Sequence, residues 1–174
     1  KENNNITLGN VGFELYNDEN GSLVGTYYTD ANGKIEIKNL RIGNYKLKEI
    51  STNEWYNLAE NQNLQIKWNE TTKTQVEDEL KKGQIKVIKV DKENNEIKIP
   101  NVVFEVQDSY GNLLEKIKTN QNGEAITSKY PLRDYPNLRL HEVETDEKYA
   151  LENEIKEITL EENQIKEVKI ENEK

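Results

Sequence analysis

GQIKVIKVDKENNEIKIPNVVFEV, Gly83–Val106, decides how this chain folds. In Gln84–Asp91, apolar and polar residues alternate, with Ile85 and Val87 on one face and Lys89 next on the same face. Ile88 and Val90 offer a competing phase. A period of two belongs to a strand, not to a helix. A polar KENN turn follows, and Asn101–Val106 alternates again. Leu138–Glu142 and Ile165–Asn172 read the same way. Turn signals punctuate the chain at Asn20-Gly21, Asn32-Gly33, Tyr110-Gly111 and Asn122-Gly123, and Asn-Gly supplies the positive φ a tight hairpin needs. No long segment keeps a helical period. Short strands with regular turns predict an all-β sandwich.

The deciding stretch also occurs twice. Lys92–Val106 (KENNEIKIPNVVFEV) matches Lys1–Leu15 (KENNNITLGNVGFEL) at an offset of 91 residues. Thr119–Ala125 answers Thr29–Ile35 at 90, and Leu138–Glu142 answers Tyr45–Glu49 at 93. Asp146–Leu151 answers Asn53–Leu58, also at 93. Two homologous modules are therefore expected in tandem, 1–82 and 83–174. Their join near Lys81-Lys82-Gly83 has no flexible linker composition, which favours a fairly fixed end-to-end arrangement. At the 91-residue offset the counterpart of Lys89 falls before Lys1. The first module is thus expected to lack its first strand, either because the sequence is cut inside a module or because another chain supplies that strand. No cross-link is expected within it as given.

Composition narrows the chemistry. Among 174 residues there are 24 Lys and Arg against 33 Asp and Glu, a formal charge of -9. That balance argues against nucleic acid and anionic membrane surfaces as partners. There is no Cys and a single His, His141. Disulfides, thiol catalysis and Cys/His zinc sites are excluded, and no cofactor or metal is implied. No apolar run has the length of a membrane span. Only 33% of residues are hydrophobic, a thin supply for two cores.

Three polar residues continue core-facing rows. Lys89 follows Ile85 and Val87, Glu142 follows Leu138 and Leu140, and Asn172 follows Val168 and Ile170. Each is costly to bury alone, but together they can satisfy one another. One reading is a buried Lys–Glu ion pair with an Asn hydrogen bond. The other is covalent: burial favours a neutral Lys89 amine and a protonated Glu142, which can polarise the Asn172 carbonyl and shuttle protons. The product would be a Lys–Asn isopeptide bond with loss of ammonia.

These residues and their order resemble the B-type (SpaA-like, prealbumin-like) repeat domains of Gram-positive surface adhesins and pilins. The resemblance is carried by KVIKVD at Lys86–Asp91, NVVFEV at Asn101–Val106, the TxxNG turn at Thr119–Gly123, LRLHE ending at Glu142, Tyr149, and VKIEN ending at Asn172. It implies two Ig-like, prealbumin-like β-sandwiches and an intramolecular isopeptide bond. Lys89 and Asn172 would be joined, with Glu142 promoting the reaction. In the first module Glu49 and Asp78 fall at the positions of Glu142 and Asn172, with no lysine partner. The resemblance further implies an extracellular, cell-wall-anchored protein and a stalk or spacer role without turnover. Its partners would be neighbouring repeats of a longer chain and, in the alternative reading, a host matrix protein or glycan.

Other signals carry less. Asn17-Asp18-Glu19-Asn20-Gly21 resembles part of a calcium loop but lacks its ligand spacing, so a turn is expected. His141 should alternate outward. Ser51, Ser109 and Ser128 have no His in a triad arrangement. Trp55, Trp68, Tyr27, Tyr28, Tyr45 and Tyr56 could line a glycan-binding face. Core and edge packing is the expectation, with Trp68 aligned to Leu160.

Overall fold

The computed structural model describes all residues, Lys1–Lys174, and contains strands and turns without helix. It divides into two compact units, Lys1–Leu80 and Lys81–Lys174. Lys81 and Lys82 sit with the second unit because their carbonyls accept hydrogen bonds from Leu132 and Asn163 there.

The first unit contains β1 (Gly12–Asn17), β2 (Leu23–Tyr28), β3 (Gly43–Ser51), β4 (Tyr56–Asn57), β5 (Gln62–Ile66) and β6 (Glu79–Leu80). An antiparallel sheet runs β2-β1-β3-β5, and β4 pairs with β6. The β1–β2 connection is a turn. The Asn17 side chain accepts from the backbone N–H groups of Glu19 and Asn20, and Gly21 takes a φ of 69°. The potential calcium loop is therefore spent on local hydrogen bonds. One face of the sheet buries Phe13, Leu15 and Tyr45, joined by Val11 and Leu80.

The second unit contains β7 (Lys82–Asp91), β8 (Val103–Asp108), β9 (Leu113–Lys118), β10 (Glu124–Ile126), β11 (Tyr130–Pro131), β12 (Asn137–Glu144), β13 (Lys156–Thr159) and β14 (Ile165–Asn172). Its antiparallel sheet β13-β12-β8-β9 repeats the plan of the first unit. A second sheet forms around β7, which pairs antiparallel with β10 and β11 and parallel with β14. Between the sheets lie Ile85, Val87, Phe104, Val106, Leu138, Leu140 and Ile170. Ile85, Val87 and Lys89 of β7 point inward between the sheets; of the competing phase Ile88 is half-buried, while Val90 is buried too, beside the bridge it makes to Lys98. The first unit has no counterpart of β7 within the chain, so its sheet has a thinner cover. The chain is thus two tandem β modules of one plan, the first without an equivalent of β7.

One aromatic expectation is corrected. Trp68 does not pack; it is 85% exposed. Leu160 is buried opposite Pro136 beyond the end of the β12–β13 ladder, and the residue in that place in the first unit is Ile66, opposite Gly43. The connection into this strand is one residue longer in the second unit, Leu140 to its partner Lys156 against Leu47 to its partner Gln62, so the offset there is 94 and a pairing of Trp68 with Leu160 is two residues out of register. The other aromatics are dispersed. Tyr45 is in the core, Tyr27 and Tyr56 are half-buried, and Trp55 and Tyr28 are exposed.

Candidate functional site

Lys89, Glu142 and Asn172 lie on β7, β12 and β14, two strands of one sheet and one of the other. Each extends an apolar row, so the alternation that buries Val87, Leu140 and Ile170 also carries the polar side chain inside. Lys89 is 0% exposed, and Glu142 and Asn172 are buried with it. In the parallel ladder Asn172 stands opposite Asp91 and Ile170 opposite Lys89, so Lys89 reaches Asn172 diagonally, two residues along.

The three side chains meet. The Lys89 Nζ donates to Asn172 Oδ1 and lies 2.7 Å from Glu142 Oε2. Oε2 has no other partner. Asn172 Nδ2 donates to Glu142 Oε1 at 2.6 Å and to Thr145 Oγ1 at 3.0 Å. Glu142 Oε1 also faces the Glu152 N–H at 3.4 Å. The Phe104 ring lies below the amine, 5.9 Å away. Burial pushes the Lys89 pKa down, against the opposing pull of the Glu142 hydrogen bond and charge. One detail departs from expectation: Glu142 faces the amide nitrogen of Asn172, and the amide carbonyl faces Lys89.

The backbone around Lys89 is fixed from the other side. Its N–H donates to Gly123 O at 2.8 Å, and its carbonyl accepts from Ile99 N at 3.0 Å. Gly123 has a φ of 69°, and a Cβ there would come within 2.6 Å of Lys89 O. Farther along β7, Asp91 accepts from Tyr149 OH at 3.0 Å and from the backbone of Glu93 and Asn94. Lys174, with these donors, holds its carboxyl below the usual range.

The first unit assembles the same place without an amine. Glu49 and Asp78 are buried there. Glu49 Oε2 accepts from Ala59 N at 2.5 Å, as Glu142 faces Glu152 N, while Glu49 Oε1 is buried without a partner. Burial first, and the Asp78 charge beside it, push Glu49 up to about 7. Asp78 O accepts from the Lys1 amino group at 2.7 Å, as Asn172 O accepts from Lys92 N at 2.9 Å. Thr52 Oγ1 donates to Asp78 Oδ2 at 2.5 Å.

Thr52 and Thr145 are the residues that sequence reasoning missed. Both stand three residues after their glutamate, giving E-x-x-T twice at the same offset of 93. The signal was present, but neither threonine continues an apolar row. His141 is half-buried on the outward face beside Glu105, and Ser128 bonds to Glu115.

A family model described as a SpaA prealbumin-like fold domain matches residues 1–80 and again 83–174. No curated protein matches. Among solved structures, the Bacillus anthracis TIE protein is similar at 30% identity and a TM-score of 0.67 over 99% of this chain. This chain spans 32% of that one. The minor pilin GBS52 of Streptococcus agalactiae is similar at 16% identity and a TM-score of 0.47, covering 97% of this chain and 84% of its own. The major pilin BcpA of Bacillus cereus is similar at 12% and 0.46, covering 95% of each chain. With a family match over each half and the β-sandwich plan of the second repeated in part by the first, this chain belongs to the SpaA family of prealbumin-like fold domains.

Proposed function

We propose that the chain is a structural stalk segment of a Gram-positive surface protein, stabilised in its second module by an isopeptide bond between Lys89 and Asn172. The modules would be joined to neighbouring repeats of a longer, extracellular, cell-wall-anchored chain. The observation that carries this reading is the buried meeting of an amine and a primary amide from the first and last strands of one module with a carboxyl from the facing sheet.

The reaction follows from the contacts. Lys89 passes a proton to Glu142 Oε2, leaving a neutral acid and a neutral amine, the form that burial favours for Lys89. The Nζ lone pair attacks Cγ of Asn172, and the carbonyl π pair moves onto Oδ1. The Glu142 carboxyl then turns its protonated oxygen to Nδ2 and gives up that proton, and the carboxylate so formed takes a second proton from Nζ. The Cγ–Nδ2 bond breaks, ammonia leaves with its electron pair, and the carbonyl re-forms. Glu142 thus touches both nitrogens that exchange protons, as general acid and base. It ends as a neutral acid, and the event happens once per molecule.

The intact mass of the folded protein tests this. The expected mass is that of the sequence less one ammonia, with Glu142→Gln retaining the full mass. A wild-type protein at full mass refutes the bond. Glu49 and Asp78 have no lysine partner in the chain, so no loss of water is expected from the first module.

The second reading is a module that binds a host matrix protein or glycan. Trp68 favours it, standing free beside Ile42, Asn44 and Gln65 in a shallow recess. Binding to matrix components that Trp68→Ala abolishes, and that Trp55→Ala or Tyr56→Ala also weakens, would support this reading over a pure spacer.

A further inference from the structure

We propose that Thr145 is a positioning residue for the isopeptide reaction, its hydroxyl holding the nitrogen that must leave. This rests on the reading of Lys89, Glu142 and Asn172 given above.

A primary amide has two N–H bonds, and both are engaged here. One goes to Glu142 Oε1 at 2.6 Å and the other to Thr145 Oγ1 at 3.0 Å. Rotating the amide would give up both hydrogen bonds, so Oδ1 stays on Lys89 and the attacking amine meets the carbonyl. As Nδ2 becomes pyramidal, Thr145 goes on accepting one N–H. The new lone pair of Nδ2 is thereby turned towards Glu142, which supplies the proton that makes ammonia a leaving group.

The first module gives an independent view of the same hydroxyl. There Thr52 donates to Asp78 Oδ2 although no lysine is present. The threonine's place is therefore set by its strand end, not by the amine. A hydroxyl both accepts and donates, so one residue type serves an Asn in one module and an Asp in the other. In the second module it touches Nδ2, which would leave as ammonia; in the first it touches a side-chain oxygen of the residue at the same position. The turn that follows is closed by Asp146, which accepts from Lys148 N and Tyr149 N, so closing it does not call on the Thr145 hydroxyl.

The test follows freshly synthesised full chain by intact mass at successive quench times, for wild type, Thr145→Val and Thr145→Ser. Valine keeps the shape and removes the hydroxyl. Ammonia loss is expected to slow about tenfold, the worth of one neutral hydrogen bond, while serine stays close to wild type. A valine variant that reacts at the wild-type rate, or a serine variant as slow as valine, overturns the proposal. In a precursor trapped by Lys89→Met, the two side-chain amide protons of Asn172 are read by NMR exchange. Thr145→Val should make one of them exchange faster, and two unchanged protons overturn the proposal. If wild type never loses ammonia, the bond reading falls by itself, and the Asn172 amide protons still decide whether Thr145 holds Nδ2.

Discussion

Glu49 and Glu142 occupy one position in two repeats and differ in what faces them. Glu142 has an amine at 2.7 Å; Glu49 has Asp78 and a buried oxygen with no partner. The folded first module therefore holds a proton on Glu49 up to about pH 7, while an unfolded glutamate releases it near 4.5. Between those values the folded state binds more protons, so stability falls as pH rises. The first module is expected to be more stable at pH 4.5 than at pH 8 by at most about 3 kcal/mol. Hydrogen exchange of its core amides at the two pH values measures this. Glu49→Gln should flatten the dependence, and a slope that survives the substitution assigns it elsewhere. The three residues of the second site were legible in the sequence because each is polar where its row is apolar. Thr145 was not, because its role depends on where a strand ends, which periodicity does not report.

Strand β7 is the element on which the second module depends, paired on both sides and carrying Lys89 near its end. The β10 turn approaches it closely at Gly123, where φ is positive and a Cβ would strike Lys89 O. Gly123→Ala is expected to displace the Lys89 backbone and leave a fraction of molecules at full mass. Gly21→Ala is the control. It has a similar φ with nothing near its Cβ position, so it should cost only the left-handed strain of about 1–2 kcal/mol in the first module. Equal effects on ammonia loss from the two substitutions would refute the coupling of this turn to the site. The long strands β7, β12 and β14 were readable from alternation alone. The two- and three-residue strands β4, β6, β10 and β11 were not, since so few residues carry no period. Trp68 was misplaced because it lies beyond the end of β5 and the repeat offset changes in the connection before that strand.

At the scale of the molecule the two modules divide the sparse apolar residues unequally, and the second has the better-filled interior. Joining Lys89 to Asn172 would close a loop of 83 residues, worth about 4–5 kcal/mol by chain entropy. Asn172→Ala keeps the Lys89–Glu142 pair and removes the bond, so it should lower the second module's stability by about that amount and leave the first module's unchanged. Thermal unfolding followed by exchange in each module separates the two; a loss shared equally would mean that the modules unfold as one. The parallel pairing of β7 with β14 has a further consequence. With the first and last strands pointing the same way and joined near their far ends, the path along covalent bonds from Lys81 to Lys174 crosses directly from Lys89 to Asn172. Everything between, roughly 280 Å of extended chain, is off that path. A linked second module thus has no slack to release: it can lose its fold without growing longer, and a row of such modules would keep its length as a fixed ruler.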